Sequence, residues 1–211
     1  MKLDFESALA GMPVVAILRG VRPAEVVSIG EALYRAGIRI MEVPLNSPEP
    51  LLSIRSLSSQ FGESCVIGAG TVLDAGEVDR VADAGGRLIA SPNTDASVIE
   101  RTLAAGLVSL PGIATATDAF SAYRSGARRL KLFPASTYGI LHLKALLAVL
   151  PPDASVIAVG GVGAREAAEW LSAGARGVGM GSELYRAGDS PAAVFAKARA
   201  VVELVNQEKS A

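Results

Sequence analysis

The chain is poor in the residues that build covalent cross-links and metal centres. Among its 211 residues there is one cysteine, Cys65, and one histidine, His142. A single cysteine excludes an intrachain disulfide bond. One His and one Cys are also too few for a zinc site built from these side chains, which leaves a cation bound by carboxylates as the open alternative.

The sequence also lacks an excess of charge and long apolar runs. A formal net charge of −1 provides no electrostatic basis for binding nucleic acid or an anionic membrane. No apolar run approaches the roughly 20 residues that a membrane-spanning helix needs. Residues 1–6 lack the apolar core of a signal peptide. Together with the lone cysteine, these features predict a cytoplasmic protein without nucleic-acid or membrane partners.

Short apolar runs alternate with helical patterns along the whole chain. Such runs, bounded by turn residues, are typical of strands that are buried on both faces. The expected strands are residues 14–18, 38–43, 65–69, 88–90, 107–110, the stretch 128–133 before Pro134, 155–159 and 177–180.

The helical segments between these strands have recognisable starts. A short amphipathic helix is expected over residues 3–10. Pro23 begins the helix that Gly37 ends. In the next helix, Ser47 is the expected N-cap, with Pro48 at the first position. The helix after the sixth strand is expected to begin beyond Gly139.

Eight strand–helix units in succession predict a parallel sheet with right-handed crossovers. In a chain of this length the pattern favours a (β/α)8 TIM barrel with a short N-terminal helix. We expect one domain over residues 1–211, because no linker or low-complexity segment interrupts the repeat. An open doubly wound sheet is the alternative, but no G-x-G-x-x-G motif follows the first strand.

Lys131 is the one lysine, of five, that falls inside a predicted strand. An apolar setting disfavours its ammonium form, and a neutral amine can attack a ketone to form a Schiff base. The alternative is a strand residue whose charged end reaches solvent at a sheet edge.

Further polar residues fall at the carboxyl ends of the predicted strands, where barrel active sites lie. Glu42 is a candidate general base and Arg19 a candidate anion ligand, and a salt bridge between the two is the structural alternative. Thr71 is a candidate ligand for a carboxylate, with a helix cap as its alternative. Phe133 and Pro92 are candidate pocket walls.

Two glycine turns follow the last two strands, where this fold commonly binds phosphate. They contain Gly160 and Gly161 in one turn and Gly181 and Ser182 in the other. Glycines let the backbone approach a ligand closely, and simple tight turns are the alternative. Cys65 is expected in the core, and His142 on the surface or at an interface.

The chain resembles the class I 2-keto-3-deoxy-6-phosphogluconate/4-hydroxy-2-oxoglutarate aldolase family. The similarity extends over almost the whole chain. The matching stretches are AILRG at 16–20, EVPLNSP at 42–48, IGAGTVL at 67–73, SPN at 91–93, PGIATAT at 111–117, LKLFP at 130–134, AVGGV at 158–162 and GSELYRAG at 181–188.

The resemblance implies reversible cleavage of a phosphorylated keto-deoxy sugar acid to pyruvate and glyceraldehyde 3-phosphate by a homotrimer that needs no metal or other cofactor. By the same resemblance, Lys131 is the Schiff-base lysine and Glu42 the proton-transferring carboxylate. The matches also imply substrate binding by Arg19 and Thr71, and phosphate binding by Gly160, Gly161, Gly181 and Ser182.

Two positions bear on which sugar acid is cleaved. Gluconate-type relatives carry Arg four residues after the catalytic Glu and Thr before the paired glycines. Asn46 and Val159 occupy these positions here, as in galactonate-type relatives. A gluconate-type or dual-specificity enzyme is one alternative. A phosphate-binding barrel of another chemistry and a non-catalytic sugar-phosphate-binding protein are the others.

Overall fold

The fold is a parallel barrel surrounded by helices, as a computed structural model shows for residues 2–209. The strands are β1 Val14–Ile17, β2 Ile40–Pro44, β3 Val66–Gly70, β4 Leu88–Ala90, β5 Val108–Leu110, β6 Gly112–Ile113, β7 Arg129–Leu132, β8 Ser155–Val159 and β9 Gly177–Met180. The helices are α1 Phe5–Gly11, α2 Pro23–Ala36, α3 Pro50–Phe61, α4 Ala75–Asp83, α5 Ala96–Ala104, α6 Ala116–Arg124, α7 Ala135–Leu147, α8 Glu166–Ser172 and α9 Pro191–Lys209.

The described residues form nine strands, one more than expected, because the fifth strand is split at Pro111. Its halves, β5 and β6, form the two ends of the sheet order β5-β4-β3-β2-β1-β9-β8-β7-β6. Proline has no N–H to donate, so the regular ladder is interrupted there. The carbonyl of Pro111 still accepts a hydrogen bond from the Lys131 N–H at 2.8 Å. The barrel is therefore nearly closed, and the predicted barrel class is confirmed.

Two predicted helix starts are wrong. The N-cap of α3 is Glu49, with Pro50 at the first helical position, instead of Ser47 and Pro48. α7 begins at Ala135, before the predicted start, and is broken at Gly139, whose φ of 79° and ψ of 171° are not helical. The predicted turn at Gly139 is thus present as a break within the assigned helix.

The apolar core has two parts, one inside the barrel and one between the strands and the outer helices. Inside, Val15, Ile40 and Ile157 point inward from their strands and meet Phe5 and Leu9 of α1. The short first helix therefore closes the amino-terminal end of the barrel. Cys65 and Trp170 are buried in the outer part, so the expected core position of Cys65 is confirmed.

Arginines at the amino-terminal ends of several strands bind backbone groups. Arg87 donates to the carbonyls of Leu3, Gly62 and Cys65 at 2.7 to 3.0 Å. Arg129 forms an ion pair with Glu6 of α1. These contacts hold the rim opposite the carboxyl ends of the strands and leave the other rim to ligand binding.

Candidate active site

A cavity of about 570 Å³ opens at the carboxyl ends of the strands. This is a typical size for a small-ligand site. Its lining combines six charged residues of the described chain with glycines, apolar residues and two hydroxyl-bearing residues. The charged ones are Arg19, Glu42, Lys131, Glu166, Glu183 and Arg186. The others are Ile17, Phe133, Val159, Gly160, Gly161, Val162, Gly163, Gly179, Gly181, Ser182 and Tyr185.

Lys131 lies inside the barrel wall and is only 6% exposed. On β7 it stands two residues beyond Arg129, so both side chains point to the barrel interior. Its Nζ is 4.9 Å from the centre of the Phe133 ring. Burial lowers the pKa of Lys131, the negative charge of Glu42 raises it, and the positive charge of Arg19 lowers it further. The alternative of a solvent-exposed edge lysine is therefore wrong.

Glu42 faces the same space from β2 and is 2% exposed. Burial raises the pKa of Glu42 to about 7, although the positive charges of Lys131 and Arg19 each lower it. Its Oε2 atom is buried without a hydrogen-bond partner among the described residues. Nor does Glu42 form an ion pair with Arg19 within the described chain, which argues against the structural salt bridge. A carboxyl group that changes protonation near neutral pH is suited to proton transfer.

Gly70 makes room for the Glu42 carboxyl group. A Cβ atom added at Gly70 would lie 2.0 Å from Oε2 and 2.4 Å from Oε1 of Glu42. These residues are on adjacent strands, where Glu42 pairs with Gly68 and Pro44 with Gly70. The small residue on β3 thus determines where the carboxyl group of β2 can lie.

Arg19 extends from the end of β1 and is oriented by two neighbours. Its Nη1 donates to Oδ1 of Asn46 at 2.6 Å, and its Nη2 donates to Oγ1 of Thr71 at 3.4 Å. Thr71 has a left-handed φ of 57° and does not cap a helix, because Asp74 is the N-cap of α4. Asn46 and Thr71 therefore join the site through Arg19.

The glycine turns differ in why they need glycine. Gly160 and Gly161 have φ of 95° and 70°, and an added Cβ would meet the Phe133 ring at 3.0 Å or Ser136 Oγ at 2.3 Å, respectively. At Gly181 the nearest atom to an added Cβ is 4.0 Å away and φ is not positive. The tight-turn alternative explains the first pair, whereas a Cβ at Gly181 would make only an ordinary contact with Ile17.

Most of the predicted site residues meet at this cavity. Val159 lines it beside Gly179, and Ser182 borders it from the last turn. Pro92 lies outside the lining. Its carbonyl group lies beside Gly112, 2.3 Å from where a Cβ would be. Of the two predicted walls, Phe133 borders the cavity.

Four polar residues at the cavity were not predicted as site residues from the sequence. They are Glu166, Glu183, Tyr185 and Arg186. Each follows one of the glycine turns by a few positions, and that proximity was the available signal.

Other chemistry-bearing residues lie elsewhere. His142 is half-buried, and its Nε2 is 2.6 Å from the carbonyl oxygen of Ala114. Across the described residues, no three His, Cys, Asp or Glu side chains are grouped so that they could hold a metal ion. None of the helices in the described part is long and apolar enough to cross a membrane.

Comparison with known proteins connects this geometry to a family. The family described as "Aldolase: KDPG and KHG aldolase" matches residues 5–196. A protein of Escherichia coli K12, 2-dehydro-3-deoxy-6-phosphogalactonate aldolase, is 46% identical over 193 residues, which cover 89% of this chain and 94% of that protein.

Solved structures agree with the sequence match. One described as native KDPGal superimposes with a TM-score of 0.94, at 42% identity, over 100% of both chains. A second belongs to a porous protein cage designed by fusing symmetric oligomeric domains. It has a TM-score of 0.92 and 44% identity, and the match covers 94% of this chain and 73% of that one.

Proposed function

The chain belongs to the KDPG and KHG aldolase family, and from that premise we propose that it reversibly cleaves 2-dehydro-3-deoxy-6-phospho-D-galactonate to pyruvate and D-glyceraldehyde 3-phosphate. One observation carries the chemistry. A lysine and a carboxyl group are buried at the same cavity, where burial lowers the pKa of Lys131 and raises that of Glu42. Both shifts favour the neutral forms, and the neutral amine is the form of Lys131 that attacks a ketone.

The first step is imine formation at Lys131. Its neutral amine attacks the C2 ketone to give a carbinolamine, which takes up a proton at its hydroxyl group and loses water to leave a protonated imine. Arg19 binds the C1 carboxylate, since a guanidinium presents a fork of donors to that group. Asn46 and Thr71 fix the direction of the guanidinium through their hydrogen bonds.

Carbon–carbon cleavage follows at C3–C4. Glu42, directly or through one water, removes the C4 hydroxyl proton. The electron pair of the C3–C4 bond moves into the protonated imine, which yields an enamine and the aldehyde of glyceraldehyde 3-phosphate. The enamine then takes a proton at C3, and hydrolysis of the imine releases pyruvate and the free Lys131 amine.

The phosphate lies at the other end of the cavity. Backbone N–H groups of the turns at Gly160–Gly161 and Gly181–Ser182 bind it, and the presence of both turns in the cavity lining supports this placement. Binding energy from this remote group orients the reacting carbons.

Substrate choice is tested with the two epimeric 6-phospho sugar acids. We expect kcat/KM for the galactonate form to exceed that for the gluconate form by at least about tenfold, because a few side chains decide such choices. The double variant Asn46→Arg/Val159→Thr should shift the ratio toward gluconate, whereas Val108→Thr, the same kind of change on β5, should not. Equal or reversed values for the wild type would overturn galactonate selectivity.

We also propose a cytoplasmic homotrimer. Large apolar side chains on its surface support association, among them Leu141 at 82% and Val149 at 56% exposure. Light scattering on the purified protein should give three times the chain mass of 21.6 kDa. A mass equal to one chain would rule out the trimer.

A further inference from the structure

A partly buried hydrogen bond at the rim of the cavity joins the loop after β9 to the first turn of α2, which follows the loop after β1. The hydroxyl of Tyr185 donates to Oε1 of Glu25 at 2.9 Å. Tyr185 is only 2% exposed and lines the cavity. Because hydrogen bonds to charged groups are among the stronger ones, this bond ties the loop after β9 to the start of α2.

Glu25 is anchored to the loop that carries Arg19. It is the third residue of α2, and Oε1 accepts a hydrogen bond from the backbone N–H of Arg22 at 3.2 Å. Its Oε2 accepts from Nη2 of Arg22 at 3.2 Å. Arg22 ends the short loop that starts at Arg19. These hydrogen bonds therefore connect Glu25 to that loop.

Tyr185 is anchored to the turn that carries Ser182. The N–H groups of Leu184 and Tyr185 both donate to the carbonyl of Gly181 at 2.9 Å. This makes residues 181–185 one compact turn. The backbone of Tyr185 is therefore tied directly to that of Gly181, next to Ser182.

The far end of the same loop is also held. Asp189 Oδ2 accepts hydrogen bonds from the backbone N–H of Arg186 at 2.8 Å and from Nζ of Lys197 on α9 at 2.7 Å. Without the tyrosine hydroxyl, the loop would keep this tether and lose the one nearest the cavity.

The two loops follow neighbouring strands. β1 pairs with β9, with Ala16 opposite Met180. The loops also approach each other at Gly20, where an added Cβ would lie 3.4 Å from Cβ of Ala187. The Tyr185–Glu25 bond thus adds a side-chain link between the two segments that carry Arg19 and Ser182.

We propose that Tyr185 is a positioning residue that fixes the Gly181–Ser182 turn relative to Arg19, and so makes the enzyme selective for substrates that carry a terminal phosphate. This inference rests on the proposed function, in which Arg19 holds the carboxylate end and Ser182 the phosphate end. The hydroxyl acts through the turn and touches no reacting atom.

The variant Tyr185→Phe removes only the hydroxyl. KM for the phosphorylated substrate should rise about tenfold, the loss expected for one hydrogen bond to a charged group. The kcat should stay near the wild-type value, because the bond serves binding and not the chemical step. Borohydride trapping of pyruvate on Lys131 should be unchanged, since pyruvate has no phosphate.

A matched control stands on the opposite rim. The hydroxyl of Tyr123 donates to Oδ1 of Asp153 at 2.9 Å, and Asp153 also pairs with Arg128. Tyr123→Phe removes the same kind of bond and should leave KM unchanged. Glu25→Gln keeps an acceptor for Tyr185, so its KM should fall between those of the wild type and Tyr185→Phe.

The outcomes separate this inference from the proposed function. Normal pyruvate trapping with an unchanged KM in Tyr185→Phe would overturn the positioning role and leave the aldolase assignment standing. Loss of pyruvate trapping in Tyr185→Phe, with normal trapping in the wild type, would show that the substitution damages the whole site. That result would also overturn the positioning role. If Tyr185→Phe does not fold, an unchanged KM in Glu25→Gln overturns the positioning role and a raised KM supports it. Absence of trapping in the wild type would instead overturn the proposed function.

Discussion

At the scale of single residues, the site depends on two ionisable groups that the fold keeps poorly solvated. Lys131 is 6% exposed and Glu42 is 2% exposed. In water at neutral pH the amine would be protonated and the carboxyl group ionised. Burial shifts both pKa values toward the neutral forms, and the opposite charges of the two groups limit each shift. Buried ionisable groups whose pKa is shifted by burial and a charged partner are common at active sites.

The raised pKa of Glu42 has a consequence for stability. Its folded-state pKa of about 7 lies above the ordinary value of 4.5. The folded protein therefore holds this proton more tightly than the unfolded chain does. The resulting contribution to stability is complete below about pH 4.5 and is lost as the pH rises through about 7. Above that pH a buried carboxylate is retained at a cost in stability, which is consistent with a role in function.

The same group should shape the pH profile of activity. Because Glu42 accepts a proton in the cleavage step, kcat/KM should fall as the pH drops through about 7. In Glu42→Gln, turnover should fall strongly. Any remaining acid limb should move to lower pH, since the charge that raises the pKa of Lys131 is gone. Measuring kcat/KM against pH for both proteins checks this, and an acid limb that stays at the same pH in the variant would contradict the role of Glu42.

Gly70 gives a second test at this scale. In Gly70→Ala the new methyl group would overlap the carboxyl oxygens of Glu42 and displace them. A displacement of about 1 Å can cost about a hundredfold in rate, so we expect a loss of this order in kcat. Gly11→Ala is the matched control, because an added Cβ there meets no atom within 4 Å. Wild-type kcat in Gly70→Ala would show that the position of Glu42 is unimportant.

At the scale of elements, local patterns were sufficient to place the strands and most helices. Strand bounds agree to within about two residues, and Gly37 ends α2 in a left-handed conformation as expected. The start of α3 was wrong for a non-local reason. The hydroxyl of Ser47 accepts a hydrogen bond from the N–H of Gly20 at 3.0 Å, so it is occupied by the neighbouring loop. That partner is 27 residues away, and no local pattern could reveal it.

The break at Pro111 shows a similar limit. The sequence favours one strand through Leu110 followed by a turn. The chain instead resumes pairing at Gly112, which needs glycine because an added Cβ would lie 2.3 Å from the carbonyl of Pro92. Closure of the barrel therefore depends on a close backbone approach from the preceding strand–helix unit. Such approaches follow from the assembled barrel and not from the pattern of one segment.

At the scale of the whole molecule, barrel topology explains why so much of the site could be predicted. Parallel strands deliver their carboxyl ends to one rim, so Arg19, Glu42, Lys131 and the glycine turns meet once the eight units are recognised. Tyr185 could not be predicted in the same way. Its importance depends on contact with Glu25, which is 160 residues away along the chain.

The most direct test of the whole account is chemical trapping at Lys131. The protein is incubated with pyruvate and borohydride, and the modified residue is located by mass spectrometry of peptides. We expect one reduced pyruvate adduct, on Lys131, with loss of activity in step with labelling and no label in Lys131→Met. An unmodified Lys131 in protein that still cleaves the phosphorylated substrate would contradict it.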